Sequence, residues 1–409
     1  MSYIKRGTRS FRMANLALFA GGFNTFSILW GTQPLLPEIS KDFHISPAVS
    51  SLTLSSTTIA LAISMLFVGS LSEVFGRKSV MSISLVASSI LAILTALSPN
   101  FHMLLFLRIL EGIVLAGLPA IAMAYLGEEI EPSSLGMAMG LYISGNSIGG
   151  MGGRIIGGIL SDYFGWKIAL SGIGLISLAA SLLFWYTLPK STHFQPRKWD
   201  MRKLSKSMLN QFKEPGLLHL FVIGFLLLGS FSSLYNYIGF QLIAPPYNLS
   251  QTIVGFIFIV YLVGTFSSTW MGILADRYGR RKILQISLFI FLVGALITLN
   301  ANLWVKLVGI AIFTFGFFAG HSIASGWVGK LSTHDKAQAS SLYLFFYYVG
   351  SSIAGTASGS FYSDFGWVGV VTMILVFSVI AILLSFRLST IAKNRMKITS
   401  GKLHLKVKT

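Results

Sequence analysis

Gly272-Ile-Leu-Ala-Asp276-Arg277-Tyr-Gly279-Arg280-Arg281-Lys282 is a short charged turn set between two long apolar runs. A degraded copy stands earlier in the chain as Gly69-Ser-Leu-Ser-Glu73-Val-Phe-Gly76-Arg77-Lys78. Aligning Gly69 with Gly272 also aligns Gly76 with Gly279 and Arg77 with Arg280. The same offset, within two residues, places Leu141-Tyr142 on Leu342-Tyr343, Gly149 on Gly350 and Gly158 on Gly359. It also matches Phe164-Gly-Trp166 with Phe365-Gly-Trp367, and Asn100 and Gly127 with Asn302 and Gly329. One parallel duplication accounts for all of these matches.

The composition sets the solvent. Hydrophobic residues make up 54% of the 409 positions and charged residues only 11%, against about 25% charged in soluble domains. The formal net charge of +18 raises the question of nucleic acid, and its distribution answers it. Most Lys and Arg lie in the tails and in alternate loops, which is the positive-inside pattern of a membrane protein. Nucleic acid is excluded as a partner on that ground. With no cysteine in the chain, disulfide and thiol chemistry are excluded too. The basic start (Lys5, Arg6, Arg9, Arg12) precedes an apolar run, but Trp30 to Pro37 offers no small-residue cleavage site. The run is read as a first span, not a signal peptide.

Apolar runs of membrane-crossing length are predicted over 14–33, 48–71, 79–97, 101–125, 134–160, 166–188, 217–241, 251–274, 283–300, 303–327, 337–361 and 367–387. The fold class is an all-α membrane protein with twelve transmembrane helices in two pseudo-symmetric six-helix bundles. The expected domains are an N-terminal bundle over 1–188, a basic cytoplasmic linker over 189–216, a C-terminal bundle over 217–387 and a basic cytoplasmic tail over 388–409. The linker holds Lys190, Arg197, Lys198, Arg202, Lys203, Lys206 and Lys213, a charge suited to anionic headgroups. An even number of spans and the basic loops put both termini in the cytoplasm of a cell membrane.

Parallel six-span repeats describe one transporter architecture in particular. The Gly-x-x-x-Asp-Arg-x-Gly-Arg-Arg pattern at Gly272, its echo at Gly69, and Arg108-x-x-x-Gly112 in span 4 resemble the major facilitator superfamily, over essentially the whole chain. In span 5, Gly145-x-x-x-Gly149-Gly150-Met-Gly152-Gly153-Arg154 resembles the antiporter motif of its twelve-span drug:proton branch. The phrase from Leu141 to Gly150 resembles inner-membrane efflux proteins of the YnfM type. Two positions depart from the motif: Gly150 stands where the family has Pro, and Arg154 where it has Gly.

Ionisable residues inside a span are costly, so each is a functional candidate. Arg108 and Glu111 lie three residues apart on one face of span 4. Neither recurs in the second half, where Ile310 and Phe313 take their places, so neither is part of the repeated scaffold. Glu111 is expected to carry the proton with Arg108 beside it, or the two form a neutralising pair; the resemblance implies proton transfer at Arg108. Arg154 in span 5 is a candidate substrate contact for an anionic or hydroxylated molecule, a donor to backbone carbonyls, or a partner of Glu111. His321 in span 10 is a packing histidine or a pH-sensitive gate. Asn24, Tyr142, Asn146, Asn236, Tyr237 and Tyr347 are candidate substrate contacts inside their spans. Asp276, Arg277, Arg280, Glu73 and Arg77 are expected to act as a cytoplasmic gate, and Gly149 and Gly153 to let helices approach closely.

These features predict a secondary active transporter, not an enzyme: no nucleotide loop, metal cluster or nucleophile motif is present, and no cofactor is expected. The expected partners are a small-molecule substrate, protons and membrane lipids, in a monomer. Proton-coupled export of a drug, biocide or sugar follows from the span 5 resemblance. Proton-coupled uptake, uniport, and a lipid or lipid-linked-glycan flippase are the alternative expectations.

Overall fold

A computed structural model describes residues 3–194, 201–332 and 334–406, with side chains through residue 388 apart from those of residues 201 and 203. The fold is built from helices, and it carries the twelve predicted spans. Span 1 is Arg9–Gly31, span 2 Pro47–Phe75, span 3 Arg77–Ala96 and span 4 Phe101–Leu115 with its continuation Ala122–Glu129. Spans 5 and 6 are the two arms of Leu135–Thr187, bent at Gly165. Span 7 is Leu217–Ile243, span 8 Gln251–Tyr278, span 9 Arg280–Ile297 and span 10 Leu303–Leu331. Spans 11 and 12 are the arms of Lys336–Lys406, bent at Gly366. Among the described residues, seven segments are long and apolar enough by themselves to cross a membrane. Lys336–Leu388 is one of them and contains two spans. The spans outside this set are 1, 4, 5 and 9, and three of these carry the candidate side chains Arg108, Glu111, Arg154 and Arg280.

The duplication is built into the local geometry. Gly76 and Gly279, at matched turns, have φ of 91° and 94°; Gly165 and Gly366, at the matched bends, have φ of 82° and 60°. A side chain is strained at such angles, so glycine is required where one span reverses into the next. The caps repeat as well. Ser46 and Ser250 accept from the backbone N–H of Val49 and Ile253 at the starts of spans 2 and 8. Asn100 and Asn302 cap spans 4 and 10 through Met103 and Trp304, satisfying N–H groups that lack an intrahelical acceptor.

Two spans are less regular than expected. Span 4 is interrupted between Leu115 and Ala122, where Pro119 lacks a backbone donor and Gly117 lies against Ser84 too closely for any side chain. Span 8 tightens into a 3-10 turn over Ile257–Val260. The linker also differs. It contains a helix, Met201–Gln211, whose Gln211 donates to His334 O and accepts from Ser332 at the span 10–11 loop. Arg197 and Lys198 lie outside the described residues, as do residues 407–409 of the tail.

By packing, the chain divides into two compact units that do not follow the halves of the sequence. The first contains Met1–Asp200 together with Ser232–Tyr261 and Ser351–Val370; the second contains Met201–Phe231, Leu262–Gly350 and Val371–Thr409. In the first unit, Phe11, Leu18, Leu85, Tyr125, Tyr142 and Phe184 form one core cluster, and Leu35, Ile39, Leu104, Trp166 and Leu170 another. Span 1 meets span 5 almost backbone to backbone. A Cβ on Gly145, Gly149 or Gly153 would lie 2.4 to 2.6 Å from Phe19, Phe23 or Ser27 backbone atoms. In the second unit, Phe231, Phe291, Phe313 and Phe317 stack, with ring centroids 3.8 Å apart for Phe231 and Phe317 and 4.1 Å for Phe291 and Phe313.

Beyond the predicted membrane stretch of span 4, Glu129 clamps the start of the linker. It accepts from the His193 backbone N–H at 2.8 Å and the Thr192 hydroxyl at 2.8 Å, and its carboxylate lies 3.1 Å from the His193 ring. Burial pushes the Glu129 carboxyl up, but these hydrogen bonds outweigh it and hold the group below the ordinary carboxylate range. A depressed pKa stabilises the folded state above the ordinary range and is lost as pH falls through the depressed value. Proteolysis within 189–194 is therefore expected to accelerate on acidification below that range. Glu129→Gln should remove the pH dependence; an unchanged profile would disprove the clamp. A second expectation concerns Gly279, where a Cβ meets nothing within 4 Å and only backbone strain opposes it. Gly279→Ala should cost about 1–3 kcal/mol, read as a lower Tm in detergent. Gly127→Ala, equally free of contacts but at an ordinary φ, should be neutral.

Candidate functional site

The first unit brings the candidate charges of spans 4 and 5 into two separate centres. In span 4, Arg108 and Glu111 form an ion pair, with Arg108 Nη1 donating to Glu111 Oε2 at 2.5 Å. Both are almost fully buried. Arg108 Nε donates to Thr53 O of span 2 at 2.9 Å, and Nη2 reaches Leu29 O of span 1 at 3.4 Å. The guanidinium thus draws three helices together through one side chain. Glu111 Oε1 is buried and has no hydrogen-bond partner among the described residues. The neighbouring Gly112 explains the tight fit: a Cβ there would lie 2.3 Å from Thr57 O, so span 4 rests directly on span 2.

Arg154 is the second centre, and its partners are not those of an ion pair. Nε donates to Gln33 Oε1 at 2.8 Å and Nη1 to Gly150 O at 2.7 Å. Three rings surround the guanidinium: Trp30 at 5.0 Å, Phe258 at 4.7 Å and Tyr261 at 4.8 Å from centroid to Cζ. Among the described residues no carboxylate lies within ion-pair distance of Arg154, so a pairing with Glu111 is not formed. A buried cation then depends on cation–π attraction and neutral acceptors, which are stronger where water is excluded. The 3-10 turn of span 8 presents Phe258 and precedes Tyr261. Gln33 Nε2 donates onward to Asn236 Oδ1 at 2.7 Å, so spans 5, 1 and 7 are linked in one chain of hydrogen bonds.

The same unit holds further contacts between residues of the two sequence halves. Thr58 and Ser352 hydroxyls are 2.7 Å apart, Thr356 donates to Ser55 Oγ at 2.6 Å, and Thr252 donates to Asp162 at 2.7 Å. None of these pairs was predicted, because isolated Ser and Thr within apolar runs carry no signal of what they face. Phe258 was missed for the same reason.

The remaining candidates sort by what they touch. Asn24 donates to Ser89 Oγ and Ser177 O at 2.8 and 2.6 Å, joining span 1 to spans 3 and 6. Tyr142 lies in the first core cluster, and Asn146 follows one turn later, packed against Gly22. Tyr237 donates to Gly355 O at 2.8 Å and stacks on Tyr362. Asn24, Tyr142 and Tyr237 are therefore interhelical fasteners with almost no exposed surface. Gly149 and Gly153 face span 1 of their own half; the span 5 glycine that meets span 8 is Gly158, against Gln251 and Gly255.

In the second unit, His321 Nδ1 and the Tyr343 hydroxyl are 3.0 Å apart, and Tyr347 lies over the His321 ring at 4.4 Å. His321 is accordingly packed among rings. Lys306, also within span 10, is a buried cation absent from the predicted candidates; its ammonium donates to Thr298 O at the end of span 9.

The repeated charged turns use opposite chemistry. Asp276 pairs with Arg280 at 2.9 Å and Lys330 at 3.4 Å, while Arg277 lies over the Tyr278 ring. In the first copy, Arg77 meets Glu128 at 2.8 Å and Glu73 only at 3.7 Å. Glu128 and Lys330 occupy equivalent places in the duplication. An acid at the end of span 4 therefore meets the base of one turn, and a base at the end of span 10 meets the acid of the other. The exposed Asp276–Lys330 pair contributes little to stability by itself, whereas Arg77 is buried.

Comparison with known proteins agrees with this architecture. The Major Facilitator Superfamily model matches residues 18–243 and 220–407. The chain is 56% identical over 385 residues to the uncharacterized MFS-type transporter YybF of Bacillus subtilis (strain 168), covering 94% of this chain and 95% of that one. It is 47% identical over 386 residues to the inner membrane transport protein YnfM of Escherichia coli (strain K12), covering 94% and 93%. The crystal structure of a bacterial homolog to the human lysosomal transporter Spinster, in an inward-facing and unoccupied conformation, shares the fold. The TM-score is 0.75 at 16% identity, over 95% of this chain and 98% of that one. The chain belongs to the Major Facilitator Superfamily, as a multi-pass membrane transporter and not an enzyme.

Proposed function

We propose that the protein exports a small organic molecule, such as a drug, biocide or sugar, in exchange for protons, by alternating access of the halves 1–188 and 217–387. Both termini then lie in the cytoplasm and the monomer is the working unit. The observation that carries the proton step is Glu111. It is buried, holds Arg108 through one oxygen, and leaves the other oxygen without a hydrogen-bond partner among the described residues. That oxygen is the place for a proton. Protonation would weaken the hold on Arg108 and release the guanidinium toward the carbonyls of Thr53 and Leu29, changing how spans 1, 2 and 4 pack. The absence of both residues from the second half supports a role in transport over a role in the scaffold.

Arg154 fits the outer side of the cycle. Its ring cage and its Gln33–Asn236 relay must part if the outer segments separate. An anionic or hydroxylated substrate would supply the acceptors that Arg154 then loses, giving the residue a part in both closure and binding. Asp276, Arg277, Arg280, Glu73 and Arg77 are assigned to the opposite, cytoplasmic closure.

Two experiments test this mechanism. In proteoliposomes, an inward proton gradient should drive export, and Glu111→Gln should abolish that drive while preserving counterflow exchange of substrate. Full proton-driven export in the Gln variant would remove Glu111 from the mechanism. The second experiment uses the natural absence of cysteine. A Ser55→Cys/Thr356→Cys pair should form a disulfide on mild oxidation and stop transport until a reductant is added. Undiminished transport in the fully crosslinked protein would show that these outer contacts need not open.

A further inference from the structure

A cleft of about 550 Å³ opens beside the first turn of span 3, where span 6 leads into the linker. Arg77, Lys78 and Lys190 line it, together with Ser79, Ser82 and Ser191 and the apolar Ile83, Trp185 and Phe194. Its cations are not equally available. Arg77 is engaged by Glu128, Glu73 and Ser72. Lys78 gives one of its three N–H groups to Leu188 O. Lys190 has no partner among the described residues.

The hydroxyls make the cleft a built site and not a surface accumulation of charge. Ser82 is 2% exposed, lines the cleft, and its Oγ bonds nothing among the described residues; the same holds for the buried Ser191 Oγ. Buried hydroxyls are ordinarily satisfied, so two unsatisfied ones facing one basic cleft call for an acceptor from outside. The first-turn N–H groups of span 3 point the same way, because they lack intrahelical acceptors and carry the positive end of the helix dipole. The apolar wall is equally specific. Ile83 and Trp185 are 60% and 44% exposed and lie on spans that face lipid, and Trp is favoured at the headgroup level.

We propose that this cleft binds a phosphodiester anion carried by a phospholipid headgroup. Lys78 and Lys190 pair with the phosphate, Ser82 and Ser191 donate to its oxygens, and the glycerol and first acyl carbons lie along Ile83 and Trp185. The site is separate from the transport reaction and does not depend on its direction. It places a lipid at the joint between span 3, span 6 and the linker, next to the Arg77–Glu128 pair.

The test uses the full chain purified in detergent, with native mass spectrometry counting retained lipid after addition of phosphatidylglycerol or of diacylglycerol, which lacks the phosphate. The wild type should retain phosphatidylglycerol and not diacylglycerol. The Lys78→Gln/Lys190→Gln variant should retain about tenfold less, and Arg281→Gln, outside the cleft, should match the wild type. Lys190→Glu provides a second variant that leaves the Lys78–Leu188 contact in place, should the double variant fail to fold. Phosphatidylglycerol retention that is unaffected by these substitutions, or equal retention of diacylglycerol, overturns the site. Thermal stabilisation by inorganic phosphate alone, lost in Lys190→Glu, would assign the cleft to a soluble anion and overturn the lipid.

Discussion

Span 1 and span 5 touch through backbone, and much of the first unit depends on that contact. Gly145, Gly149 and Gly153 recur one turn apart, and each lies where a Cβ would collide with the backbone of span 1. In a membrane no hydrophobic force drives helices together, so close van der Waals approach through small residues has to serve. The approach sets the register of the later turns of both helices. Arg154 comes directly after Gly153, and Trp30 and Gln33 come at the end of span 1, so the cage around the guanidinium is a consequence of the glycine register. Leu29, on the same segment of span 1, gives its carbonyl to Arg108. The two charged centres thus share one supporting helix.

Duplication separates scaffold from chemistry. Features present in both halves, such as the turn glycines, the Ser and Asn caps and the charged turns, maintain helix reversal and spacing. Features present once, Arg108, Glu111 and Arg154, introduce charge where lipid-facing helices cannot tolerate it without partners. The charged turns show how a repeated element can preserve an interaction while exchanging its signs. Arg77 with Glu128 and Asp276 with Lys330 each tie the charged turn to the matched end of span 4 or span 10, through a base of the turn in one half and an acid of the turn in the other.

The sequence made the helices and their order legible because membrane crossing demands apolar length, and because positive charge marks the loops on one side. It made Arg108 and Glu111 legible because three residues on a helix put two side chains on one face. The interruption of span 4 and the 3-10 turn of span 8 were less legible, since apolarity continues through both. Phe258, Trp30 and Tyr261 were hidden as a group: aromatic residues are frequent in every span, and nothing local distinguishes a ring beside a cation from a ring beside lipid.

What the sequence determined by itself was therefore topological: an all-helical membrane chain of twelve spans, duplicated in parallel, with buried charges legible in spans 4 and 5 but not at Lys306 of span 10. Each of these follows from composition, period and spacing along the chain. Only the tertiary structure decided the partners. It gave Arg108 the carbonyls of two other helices, surrounded Arg154 with rings and an amide instead of a carboxylate, turned Asn24 and Tyr237 into fasteners, and gathered Lys78, Lys190, Ser82 and Ser191 around one cleft. The reason is physical: hydrogen bonds and cation–π contacts act over a few ångströms between residues far apart in sequence, and helix packing alone sets which of them meet.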